Sequence, residues 1–381
     1  MSTEARITRL DARLVENALD AYIATQTSDI RYLTGFQKVF DEEQAHAMLV
    51  TSSLLTAEPY RALHTDMRYS GAMKTQNNDA LNLLDEERKA HSVFVTEQLK
   101  ALRFDKLKTD NPLRIGIEAD ISLASYRSLT KALDEAEIGN YELIELPGFI
   151  QKIRAVKDAQ EIESIRAAQQ ITDAAFLFLL ELIRPGLTEF EVAVELDFFM
   201  RRQGSEGVAF GSIVGSGPNS ANPHAVPGNR VIKTGDLIVL DFGARLDDYR
   251  SDMTRTVAIG KASDRQREIY DTVLEAQLLA LSLIRAGISA KEPAEQVNLL
   301  FAERGFEPLS HGLGHGVGID IHEAPTLSPS AEAELEIGHV VTVEPGIYFE
   351  GSDGVRIEDF GAVTATGFDN FTTASKQLFE L

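Results

Sequence analysis

Apolar positions between residues 162 and 175 recur at helical spacing, as Ile162, Ile165, Ala168, Ile171 and Ala175, ahead of Pro185-Gly186. Residues three and four apart share a helix face, so this pattern predicts a long amphipathic helix stopped by Pro-Gly. Thr188 with Glu191 reads as a capping box that opens a second helix, ending at Gly204. Two strand-rich segments follow, through Ile238-Val239-Leu240 and Thr256-Val257-Ala258-Ile259. Ser263 with Gln266 then starts another helix that ends near Gly287, and one more runs to Gly305 before strand-like segments close the chain. The first part has a different texture. Helical stretches there separate short β-rich runs at 21–24, 30–36, 47–50, 62–66 and 115–118. That alternation predicts an α/β domain with a mainly parallel or mixed sheet. The change falls at Ile153-Arg154-Ala155-Val156-Lys157-Asp158, giving an N-terminal domain over 1–152 and a C-terminal domain over 153–381.

The C-terminal part repeats its order: two helices then strands, twice. Leu182-Ile183-Arg184-Pro185-Gly186 is echoed by Leu283-Ile284-Arg285-Ala286-Gly287. The run from Lys233 to Gly243, with Leu237-Ile238-Val239-Leu240-Asp241, is echoed by that from Glu336 to Gly346, with Val340-Val341-Thr342-Val343-Glu344. Asp241 thus lies opposite Glu344, and further along each half Asp252 lies opposite Glu358. A fold with internal pseudo-symmetry brings two such carboxylate pairs together at its centre.

Composition narrows the chemistry. A formal net charge of −22 repels nucleic acid and anionic lipid heads, so neither is an expected partner. With no cysteine, disulfides and thiolate metal sites are excluded, which fits a reducing cytoplasm. The opening Met1-Ser2-Thr3-Glu4-Ala5-Arg6 starts no apolar leader, and no apolar run reaches the roughly 20 residues that cross a bilayer. A cytoplasmic location is expected.

A carboxylate inside an apolar strand, such as Asp241 or Glu344, is costly unless paired or metal-bound. Four at matched positions repel one another into protonation unless cations lie between them. Three of the chain's eight histidines, His311, His315 and His322, fall in one short glycine-rich stretch that lets imidazoles approach an ion or substrate. Oxygen-rich donors with imidazole and no thiolate suit Mn²⁺, Co²⁺, Fe²⁺ or Zn²⁺. Four carboxylates exceed the needs of one ion, and two divalent ions use them well, so the residues alone point to a dinuclear metallohydrolase.

The set Asp241, Asp252, His315, Glu344 and Glu358, with His311-Gly312-Leu313-Gly314-His315-Gly316-Val317-Gly318, resembles the "pita-bread" metallopeptidase family. Tyr32-Leu33-Thr34-Gly35-Phe36 and Asp66-Met67-Arg68-Tyr69 resemble the creatinase-type N-terminal domain of its proline-directed branch, the Xaa-Pro aminopeptidases and prolidases. The resemblance implies a pseudo-symmetric pita-bread catalytic domain, α/β (α+β) in class, behind a smaller creatinase-like α/β domain. It implies hydrolysis of the bond preceding proline with two divalent ions, Mn²⁺ before Co²⁺, Zn²⁺ or Fe²⁺, in a homodimer. Carried over, Asp241, Asp252 and Glu358 chelate or bridge the ions, His315 binds one, and Glu344 is both ligand and general base. His322 stabilises the substrate carbonyl, His224 stands on the substrate side, and His311 and Arg356 line the pocket around proline and the peptide carboxylate. Other C–N hydrolases share this fold, among them creatinase-like and ectoine-hydrolase-like enzymes. Non-catalytic binding modules share it too, and typically lose ligands.

Overall fold

The computed structural model describes residues 3–39, 45–76, 81–102 and 111–381; Met1 and Ser2 of the opening segment lie outside the described residues. The chain divides into two compact units, residues 1–154 and 155–381.

The first unit is built on a six-stranded sheet in the order Leu83–Asp85, Arg61–His64, Ala47–Thr51, Ala21–Ala24, Leu113–Ile117, Tyr141–Glu145. Ala21–Ala24 pairs antiparallel to Ala47–Thr51 and parallel to Leu113–Ile117, so the sheet is mixed. Ile23, Leu49, Phe94, Leu99 and Ile115 share its core. Residues 30–36 depart from expectation, because 30–34 belong to the helix Thr27–Thr34, which Gly35 caps, rather than to a strand. Ile30, Leu33 and Thr34 are buried on one face, and Gly35, at φ 69°, turns its N–H back to Arg31 O. An apolar run this short fits either period, and tertiary burial decides it. Of the motif residues, Asp66 caps the helix Met67–Thr75, accepting from Arg68 N.

In the second unit the repeat becomes geometry. Helices Ala159–Leu182 and Glu189–Arg202 precede a three-stranded sheet in the order Ile213–Ser216, Leu237–Phe242, Met253–Ala258. Helices Asp264–Leu283 and Glu292–Glu303 precede Gly314–Gly316, Val340–Val343 and Asp359–Val363, the three central strands of a five-stranded sheet. Thr188 with Glu191 and Ser263 with Gln266 form full capping boxes. The glycines of the echoed segments do identical work. Gly186 and Gly287 have φ of 100° and 83°, and donate to Ile232 O and Leu335 O. Gly235 and Gly338, at 96° and 91°, donate to Ile259 O and Val363 O. These left-handed positions carry a strain that glycine alone avoids, which is why the echoes survive at them.

Each half buries its own core. Phe176, Leu179, Leu240 and Phe242 belong to the first, and Val273, Val297, Val341 and Val343 to the second. Each such side chain contributes about 1.5–3 kcal/mol of burial, so both sheets are rigid platforms for polar groups at their inner ends. No helix among the described residues is long and apolar enough to cross a membrane.

Candidate metal centre

All nine side chains singled out in the sequence line one cavity of about 750 Å³ in the second unit. Asp241 comes from the strand Leu237–Phe242, paired across to Thr254, and Asp252 directly precedes the neighbouring strand. Glu344 follows the strand Val340–Val343, and Glu358 precedes Asp359–Val363, so the second half supplies its acids from the matching places. His315 sits on Gly314–Gly316, where glycines are obligatory: a Cβ on Gly314 would fall 2.0 Å from Thr342 O, and one on Gly316 2.3 Å from Ala324 O. The strand therefore lies close enough to its neighbours to set the imidazole over the acids.

Donor atoms of Asp252, His315 and Glu358 lie within 4.8 Å of one another. His315 Nε2 is 3.6 Å from Asp252 Oδ2 and 3.4 Å from Glu344 Oε1. Its Nδ1 donates to Gly316 O at 3.1 Å, which leaves Nε2 as the lone-pair nitrogen facing the carboxylates. Burial pushes the Asp252 carboxyl well above the usual range, reinforced by Glu358, Asp241 and Glu344. Glu358 is raised by burial and then by Glu344 and Asp241, and Glu344 by burial first. Asp241 Oδ1 is buried with no hydrogen-bond partner among the described residues. Three buried acids and the half-buried Glu344, short of protein donors and with one orphaned oxygen and an imidazole lone pair among them, fit divalent cations.

The protein's own hydrogen bonds orient these acids without neutralising all of them. Thr254 Oγ1 donates to Glu358 Oε2 at 2.7 Å, and Thr342 Oγ1 to Glu344 Oε1 at 3.2 Å. Arg356 is 2 % exposed, and four of its N–H groups are engaged: Nη2 with Asp241 Oδ2 (2.6 Å), Nη1 with Tyr348 Oη (2.8 Å) and Pro223 O (3.1 Å), Nε with Thr254 Oγ1 (3.0 Å). The guanidinium thus holds a carboxylate of the cluster, Asp241, and a wall residue, Tyr348, together beside the cavity. Tyr348 in turn lies 3.0 Å from His311 Nε2, while His311 Nδ1 donates to Gly312 O at 2.7 Å. One consistent set of protons runs from Arg356 through the tyrosine hydroxyl to His311.

His322 stacks edge-on to His315 at 4.4 Å between ring centres and is exposed to the cavity, as is His224 on its loop. The His322 imidazole is held below its ordinary pKa by burial, then by His315 and His224. Sequence reading missed Tyr348, Thr254 and Thr342. None carries a charge, and none stands out from the strands that hold it. Their single signal is position, at most four residues from a carboxylate.

Cavity, buried acids and imidazoles on a pseudo-symmetric scaffold define a metal-dependent hydrolase. Residues 163–365 match "Metallopeptidase family M24", and residues 6–156 match "Creatinase/Prolidase N-terminal domain". The chain belongs to metallopeptidase family M24, with the pita-bread catalytic fold and a creatinase-type N-terminal domain. It is similar to a Xaa-Pro dipeptidase of Pyrococcus horikoshii, 33 % identical with 95 % of each chain covered. Among solved structures it resembles a Xaa-Pro dipeptidase from Bacillus anthracis, with TM-score 0.89, 36 % identity and full coverage of both chains. An X-Pro aminopeptidase from Thermotoga maritima aligns at TM-score 0.83 and 32 % identity, covering 97 % of this chain and 99 % of that one.

Proposed function

We propose that this metallo-exopeptidase hydrolyses the bond preceding proline, releasing the N-terminal residue of Xaa-Pro peptides or dipeptides. The observation that carries the reading is the buried, under-neutralised carboxylate cluster facing three histidines, in a chain whose full-length relatives include Xaa-Pro peptidases. Asp241, Asp252, His315, Glu344 and Glu358 would hold two divalent ions, Mn²⁺ in the first place and Co²⁺, Zn²⁺ or Fe²⁺ as alternatives. When bound, such ions polarise a carbonyl and acidify water.

The chain's own residues do the rest. An Xaa-Pro bond is a tertiary amide without N–H, and like any amide nitrogen its nitrogen leaves only once a proton reaches it. Glu344, with its proton affinity raised by burial, takes a proton from the attacking water and returns it to that nitrogen. His322, its imidazole held below the ordinary pKa by desolvation and by His315 and His224, donates an N–H to the carbonyl oxygen as it gains charge. His224 faces the substrate from its loop, and His311, fixed at both ring nitrogens, shapes the wall around the proline ring. This reading includes a cytoplasmic homodimer, for which the family resemblance and the cysteine-free composition speak; sedimentation velocity tests the assembly.

Metal-stripped protein reloaded with Mn²⁺, Co²⁺ or Zn²⁺ is assayed on an Xaa-Pro dipeptide, a longer Xaa-Pro-Xaa peptide and an alanine-for-proline control. Metal-dependent cleavage confined to the proline substrates is the expected result, and the ratio of the first two names the subclass. No cleavage despite stoichiometric metal overturns the substrate assignment and redirects the search to non-peptide C–N bonds.

A further inference from the structure

His224 stands on the loop that joins the strands Ile213–Ser216 and Leu237–Phe242, beside Val226, which is 81 % exposed. A side chain on such a loop acts reproducibly only if the loop itself is fixed. The base of the loop closes on one carboxylate, that of Glu189, the first residue of the helix Glu189–Arg202 and 1 % exposed. Its Oε1 accepts Ser216 N at 2.8 Å and Ser216 Oγ at 2.7 Å, where the loop begins. Its Oε2 accepts Asn219 Nδ2 at 2.9 Å and Gly228 N at 3.3 Å, where the loop returns. Backbone bonds from Glu189 N to Arg230 O (3.1 Å) and Phe190 N to Gly228 O (3.0 Å) seat the returning chain on the same helix end.

We propose that Glu189 is a positioning residue that fixes loop 216–228 and, through it, His224; the proposal rests on the peptidase reading of the site. An acid at a helix start commonly serves the N–H groups of its own first turn. Among the described residues, all four donors to these two oxygens instead belong to the loop, from both of its ends. The loop reaches the metal side by a second route, since Pro223 O receives Arg356 Nη1. Arg356 keeps three other bonds, to Asp241, Tyr348 and Thr254, so it stays in place without Pro223. The effect of Glu189 therefore runs chiefly through His224.

Glu189→Gln preserves volume but turns an amide NH₂ toward two donors, whichever way it lies, and so opens one end of the latch. It is compared with His224→Ala and the double variant, in kcat/KM on an Xaa-Pro dipeptide and in amide hydrogen exchange. Glu189→Gln lowers kcat/KM about tenfold in the parent, and less than about twofold in the His224→Ala background. Exchange quickens within 216–228 and not in the strands that flank it. The same fold loss in both backgrounds overturns the proposal, as does unchanged exchange in the loop. Asn219→Ala, which deletes one half-buried latch bond, gives the same pattern at about threefold and decides the matter if Glu189→Gln does not fold. Absence of any Xaa-Pro turnover in the parent refutes the peptidase reading, while loop exchange still decides the latch.

Discussion

Glu358 and Asp359 are adjacent, both essentially buried, and treated in opposite ways by the surrounding protein. Asp359 receives Arg255 Nη2 at 2.8 Å, Lys376 Nζ at 2.6 Å and Asn370 Nδ2 at 2.7 Å. Its burial is outweighed by the charges of Arg255 and Lys376, and its carboxyl is held below the usual range. Arg255, itself 1 % exposed, also binds the backbone carbonyls of Thr254 and Glu358 and of Ala374 and Ser375. One peptide bond away, Glu358 has a single threonine donor and faces other acids, and its carboxyl is driven up. The fold neutralises the acid that holds the scaffold and leaves unneutralised the acids proposed to hold cations. A buried charge is tolerable only with a partner, so a cluster without one marks where the partner comes from outside.

The largest effect expected in this pair of regions is chemical. Glu344→Gln lowers kcat by about a thousandfold or more while circular dichroism stays unchanged, since it removes the proposed proton carrier but little packing. Activity near that of the parent in a folded variant would refute the assigned mechanism. On the scaffold side, Arg255→Met leaves Asp359 with Lys376 and Asn370, strips four backbone carbonyls of their donor, and costs about 3–5 kcal/mol in denaturant unfolding, the penalty for breaking a buried ion pair. A loss under about 1 kcal/mol means that Lys376 alone suffices for Asp359.

Metal removal separates the two regions by pH. A carboxyl with a raised folded pKa stabilises the fold below the unfolded carboxylate range, and that stability is lost as pH rises through the folded value. Asp252, Glu344 and Glu358 have this sign, so chelator-treated protein loses stability from about pH 4 upward, and Mn²⁺ restores more of its Tm at pH 8 than at pH 5. Asp359 has the opposite sign: its contribution is present above the unfolded range and is lost as pH falls through its lowered value. A Tm gain independent of pH would contradict this assignment. The smallest effect sharpens the contrast. Asp252→Asn raises the stability of metal-free protein at pH 8 by about 1 kcal/mol and abolishes the metal-induced Tm gain, whereas Asp359→Asn lowers stability with or without metal.

Much of this was legible in the chain because it is written in local chemistry. Capping boxes at Thr188 and Ser263, and glycines required by left-handed backbone at 186, 235, 287 and 338, mark element ends whatever lies elsewhere. The repeat could be read because both halves obey those same local rules. The strand expected at 30–36 failed because its apolar spacing suits a helix face equally, and only contacts made after folding choose.

By itself the sequence determined the two kinds of domain, the internal repeat, the acids at its matching places and the histidines of one glycine-rich stretch. Periodicity, caps and costly buried charge are properties of short segments. The tertiary structure decided which neutral and cationic groups serve those acids. Thr254 meets Glu358, Tyr348 links Arg356 to His311, and Glu189 ties a loop that begins 27 residues further on, at Ser216. Hydrogen-bond partners are fixed by the approach of two sheets and their loops, and no spacing along one chain encodes a distance of three ångströms across them.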